Sequence, residues 1–91
     1  MNLQIEHLPD QGRFQAVVEG HLCVAEYRLA DGVLAITHTE VAPELGGRGI
    51  AAALTQAVLA HASASGLKVR PLCSYASSYM QRHPQTQSLL A

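Results

Sequence analysis

From Leu3 to Val41 apolar and polar residues alternate, and at Pro43 that two-residue period gives way to apolar spacing of three and four. A period of two belongs to strands with one buried face, and a period near 3.6 belongs to helices. A single change of period predicts an α+β fold in which a sheet comes first and helices pack on it. Within the first part, Pro9-Asp10-Gln11-Gly12, Glu19-Gly20 and Asp31-Gly32 carry turn chemistry. Residues 2–41 therefore read as four antiparallel strands in meander order, the last running Val33–Val41. In that strand Val33, Ala35, Thr37, Thr39 and Val41 fall on one face, and Leu34, Ile36, His38 and Glu40 on the other.

After Pro43, Ile50, Leu54, Ala57, Val58 and His61 recur at helical spacing in an alanine-rich stretch, Ile50–Ser63, ended by Gly66 as a C-cap. Leu67–Leu72 reads as a fifth strand, parallel to the fourth because a helix joins them. Cys73–His83 reads as a short second helix stopped at Pro84, leaving residues 85–91 as a frayed tail. The order is β-β-β-β-α-β-α, about five mostly antiparallel strands in a single domain spanning residues 1–91.

Composition narrows the function. No apolar run approaches the ~20 residues of a membrane span, and Glu6 and Asp10 do not suit a secretory signal, so a cytoplasmic location without membrane contact is expected. Cys23 and Cys73 are too few for a disulfide framework, lack zinc-ligand spacing and read as reduced thiols. The histidines form no His-x-x-x-His pair, so no metal site is expected. All seven acids lie in residues 1–44, where only Arg13 and Arg28 oppose them. Arg48, Lys68, Arg70 and Arg82 stand in residues 45–91 with no acid, a balance suited to a polyanionic ligand. Four cations without an aromatic strip make a thin footprint for nucleic acid.

The candidate site lies between the fourth strand and the first helix, at Val41-Ala42-Pro43-Glu44-Leu45-Gly46-Gly47-Arg48-Gly49-Ile50-Ala51. Gly46, Gly47 and Gly49 allow close approach of a ligand to the backbone, and the helix start presents unpaired amides and partial positive charge. Arg48 adds a full charge, and such a place suits phosphate. A P-loop is excluded because Gly49 is followed by Ile50-Ala51 rather than Lys and Ser or Thr. A dinucleotide loop is excluded by the meander before it and by the absence of any acid after Glu44.

Val41-x-Pro43, Gly46-Gly47-Arg48-Gly49-Ile50-Ala51 and Leu54 resemble the acetyl-CoA signature of the GNAT acetyltransferases. His38-Thr39-Glu40-Val41, Gly66-Leu67-Lys68-Val69, Pro71-x-Cys73-Ser74-Tyr75 and Tyr79-x-x-x-His83-Pro84 are similar to the small single-domain members of that superfamily. The resemblance covers about residues 36–84. It implies that Val41 meets the acetyl and pantetheine portion of acetyl-CoA through its backbone. It implies that Gly46, Gly47, Arg48, Gly49, Ile50 and Ala51 hold the pyrophosphate, and Ser74 is expected to bind the cofactor with them. Gly46 departs from the family, which usually has Arg or Gln there, and the two further strands of larger relatives are missing.

Three residues are candidates for catalysis. Cys73 falls at a helix start, which favours a thiolate, and it matches a cysteine for which the small subgroup has a proposed catalytic role. Tyr79, six residues on, is one position short of the place where many family members carry a tyrosine that protonates the coenzyme thiolate, and Tyr75 is its rival. Glu40 and His38 share a strand face where a general base for an amine would sit. The expected function is transfer of acetyl from acetyl-CoA to an unknown amine by a monomer or homodimer. The alternatives are a module that holds coenzyme A without transfer and an interaction domain whose glycine loop is only a turn. Turnover with amines separates the first two, and failure to bind coenzyme A favours the third.

Overall fold

In a computed structural model, which describes residues 3–91, the alternating half of the chain forms an antiparallel meander. Its strands are β1 (Glu6–Leu8), β2 (Arg13–Val18), β3 (His21–Ala30) and β4 (Val33–Glu40). Helix α1 (Ile50–Ala64) then leads to β5 (Lys68–Pro71) and helix α2 (Ser74–Arg82). The sheet order is β1-β2-β3-β4-β5, with β5 parallel to β4 as the helix crossover requires.

Both tight hairpins have the predicted chemistry. Glu19-Gly20 and Asp31-Gly32 each place two successive residues at positive φ, so the turn twists with the strands it joins. The first turn is longer, a 3-10 segment Pro9–Gln11 closed by Gly12 at φ 64°. A Cβ on Gly12 would stand 2.8 Å from the carbonyl oxygen of Tyr27, so conformation and space both demand glycine. β1 begins at Glu6, three residues after Leu3; Leu3 and Ile5 still pack against the core, and Asn2 lies outside the described residues.

One expectation for β4 is overturned. Tyr27 pairs with Ile36 but Glu26 pairs with His38, so Thr37 is an extra residue in a bulge. Cross-strand partners share a face, and the faces of β4 therefore exchange at Thr37. Thr39 joins Leu34, Ile36 and Ala25 on the helix-covered face, whereas His38 and Glu40 lie on the other with Glu26 and Val24.

One face of the sheet carries the core. Phe14, Cys23, Ala25, Tyr27, Leu34, Ile36 and Val69 pack there against Leu54, Val58 and Ala62 of α1 and Ala76, Tyr79 and Met80 of α2. Leu54 is fully buried, which stabilises the fold by about 1.5–3 kcal/mol. Helix α1 ends as its glycine predicts: Ser65 is the cap, Gly66 has φ 70°, and Leu67 donates to Ala62 across it. The opposite sheet face is uncovered and leaves Val17 and Leu22 exposed.

The last residues do not fray as expected. Pro84–Leu89 form a 3-10 segment in which Thr86 and the Gln87 side chain donate to the carbonyl oxygen of Met80. Leu90 bridges in parallel to Val69, and Ala91 donates to the Val69 carbonyl at 2.9 Å.

Candidate functional site

Strands β4 and β5, the last pair of the sheet, separate part-way along β4. Their pairing stops at Ile36 and Pro71, and β4 continues to Glu40 bonded only to β3. Two local features accompany the split: the Thr37 bulge bends β4, and β5 ends at Pro71 with α2 starting three residues later, at Ser74. The amides of Leu72 and Cys73 both donate to the carbonyl of Ile36, at 3.0 and 3.1 Å, which closes the sheet and starts α2. The far edge of β4, from Thr37 to Glu40, is left without a strand partner and presents backbone donors and acceptors.

Below that edge the chain enters the glycine loop. Pro43–Leu45 make a 3-10 turn that buries Leu45, and Gly47 and Gly49 then both take φ 80°. Gly46 adopts φ −59°, ψ 146°, a conformation open to any residue. Gly49 is the N-cap of α1 and supplies no side-chain cap, so the first amides of the helix lack a partner. These features border a cleft of about 330 Å³ lined by Val41, Leu45, Gly46, Gly47, Gly49, Ile50, Ala51 and Ala52, with Tyr75 and Arg82 of α2 opposite.

Arg48 is turned away from this cleft and is bound by Glu19 in the β2–β3 turn. The Arg48 guanidinium holds the Glu19 carboxyl below the usual carboxylate range. His21 and Glu44, 3.5 Å apart, make a second tie between that hairpin and the loop.

Cys73 is the N-cap of α2, with its Sγ accepting the Ala76 amide at 3.4 Å and lying 3.6 Å from Thr39 Oγ1 across the gap between strands. Ser74 begins the helix, exposed and outside the cleft lining. Tyr79 is buried, its ring stacked on His83 with centroids 4.0 Å apart, and it lines a separate recess between α1 and the Pro84–Leu89 segment. Tyr75 is the tyrosine that reaches the cleft, and burial pushes its hydroxyl pKa up, against a smaller opposing effect of Arg82. Glu40 accepts from, or is paired with, His38 at 3.0 Å on the uncovered sheet face, away from Cys73 and Thr39.

Most of the candidate residues fall into three groups, and Arg48, Ser74 and Tyr79 stand outside them. Val41, Gly46, Gly47, Gly49, Ile50 and Ala51 line the cleft; Cys73 stands at the strand gap; and Glu40 with His38 faces outward. Thr39, Leu45 and Arg82 join the site without having been singled out for it. For Arg82 a signal existed, because Tyr75 and Arg82 are two helical turns apart on one face.

A mostly antiparallel sheet whose fourth and fifth strands part beside a glycine-capped helix is the fold of an N-acetyltransferase-like domain. The sequence matches the family described as GCN5-related N-acetyl-transferase over residues 13–89, and the chain belongs to that family. It is also similar to the solution structure of a GCN5-like, proposed N-acetyltransferase from Staphylococcus aureus. That likeness has a TM-score of 0.79 and 30% sequence identity, covering 99% of this chain and 89% of the other.

Proposed function

We propose that this protein binds acetyl-CoA in the cleft beneath β4 and transfers the acetyl group to an amine. The observation that carries the reading is the cleft itself: open helix amides and glycines line it, and it reaches Val41, the residue that directly follows the unpartnered edge of β4. The residues present fit such a ligand. Amides at the start of α1 suit phosphate oxygens, Leu45, Ile50 and Tyr75 suit an apolar arm, and the β4 edge suits amide groups that pair as a strand would. Bound acetyl-CoA supplies a thioester as the acyl donor.

Around that donor the chain's own groups divide the work. Cys73, capped into place and beside Thr39, is the nucleophile or the positioning thiol at the strand gap. Tyr75, whose hydroxyl burial keeps protonated, is the proton donor in place of Tyr79. His38, oriented by Glu40, takes the proton an ammonium acceptor must lose before it can attack. An acceptor arriving from the uncovered sheet face meets His38 and Glu40 first, and the helix face stays with the coenzyme.

Isothermal titration with acetyl-CoA tests the binding step, using NAD and ATP as controls and Ala51→Glu as the variant. Ala51 lines the cleft in the first turn of α1, where an acid suits the helix dipole but repels phosphate. Saturable binding of acetyl-CoA, at least tenfold weaker in the variant at unchanged thermal midpoint, is expected. Absence of binding by the wild type at millimolar acetyl-CoA would sink the reading.

A further inference from the structure

The loop that ought to hold phosphate has no side-chain cation facing the cleft. Gly46, Gly47 and Gly49 offer none, and Arg48 is committed to Glu19 on the far side. Of the other cations in the acid-free half of the chain, Lys68 donates to the Ser88 carbonyl at 2.9 Å. Arg70, paired with Ala35, lies on the uncovered face of the sheet. Arg82 alone among them lines the cleft, exposed in the last turn of α2 and with no salt-bridge partner among the described residues. Tyr75 lines the same cleft from the same helix, two turns earlier, so α2 presents the tyrosine from its first turn and the arginine from its last.

We infer that Arg82, at the end of α2 away from Tyr75, is the side-chain half of the phosphate site, and that Arg48 is a strut that fastens the glycine loop to the β2–β3 turn. The inference rests on the coenzyme A reading above and goes further by assigning the charge. Helix α1 approaches the phosphates with backbone amides; α2 meets them from across the cleft with a fixed charge and a fork of donors. A guanidinium that no carboxylate neutralises attracts a dianion more strongly than one already paired, because a paired cation must first give up its partner. Two ties, Glu19 to Arg48 and Glu44 to His21, join the glycine loop to the β2–β3 turn.

The test is titration of coenzyme A into wild type, Arg82→Gln, Arg82→Lys and Arg48→Gln, each at about 50 and about 300 mM salt. For a charge-assisted contact, Arg82→Gln should weaken binding about tenfold at low salt and flatten the salt dependence. Arg82→Lys should keep the salt dependence and part of the affinity. Arg48→Gln should lower the thermal midpoint while leaving affinity within about threefold and the salt dependence intact. The assignment is overturned if Arg82→Gln matches wild type, if it loses affinity with the salt dependence unchanged, or if Arg48→Gln is the variant that flattens it. Each of those results leaves the coenzyme A reading standing, whereas a wild type that binds no coenzyme A defeats both.

Discussion

Cys73 and Cys23 show how the same atom takes different roles with position. Cys23 is fully buried in the sheet core, whereas Cys73 is half-buried at the start of α2, with an amide pointed at its sulfur. Attack on an alkylating reagent needs a sulfur that the reagent can reach, and of the two only Cys73 is reachable. Treating the native protein with iodoacetamide and mapping the adduct by mass spectrometry should find Cys73 modified and Cys23 intact. Bound acetyl-CoA should slow the reaction several-fold, because the gap between β4 and α2 would be filled. Equal labelling of both thiols would mean that the sheet core does not shield Cys23. At this scale the sequence was informative: a cysteine between a strand and a helix was visible from the period change alone. Which face its neighbour Thr39 presents was not.

Between elements, His7 is the pin that fastens β1 to the rest of the fold. Its ring stacks on Phe14 of β2 at 4.0 Å, meets His61 of α1 edge-on at 4.4 Å, and shares a 2.5 Å hydrogen bond with the Tyr27 hydroxyl of β3. Burial, and then the neighbouring His61, push the pKa of His7 below its usual 6.5. A histidine whose folded pKa is depressed binds its proton more readily in the unfolded chain. Its contribution is therefore complete above about pH 6.5 and is lost as the pH falls through that value toward the lower folded pKa. Urea unfolding at pH 7.5 and at about pH 5 should show lower stability in acid, and His7→Phe should reduce that difference. An unchanged difference in the variant would assign the acid sensitivity elsewhere. The spacing of α1 placed His61 on its inner stripe, but its partner across the fold is 54 positions away along the chain and no periodicity connects them.

Across the whole molecule, a sheet with helices on one face has only a thin core, and the C-terminal segment helps to close it. Leu89 packs against that core, and Thr86 and Gln87 satisfy the Met80 carbonyl at the end of α2. Truncation after Gln85 should cost about 1–3 kcal/mol and lower the thermal midpoint by roughly 4–8 °C for each kcal/mol lost. An unchanged midpoint would mean that the segment only rests on the surface. The sequence by itself determined the order of strands and helices, the hairpin turns and the glycine loop. Each of these is written in neighbours two to four residues apart, where hydrophobic period, positive-φ glycines and caps act. Only the tertiary structure decided that β4 reverses its faces at Thr37, that Arg82 rather than Arg48 faces the cleft, and that the C-terminus docks on β5. The reason is the same in all three cases. A bulge is set by the register with β3, an arginine turns toward whichever carboxylate the fold brings near it, and a tail settles where a strand edge is free. Those partners lie far away in the chain, so local pattern carries no record of them.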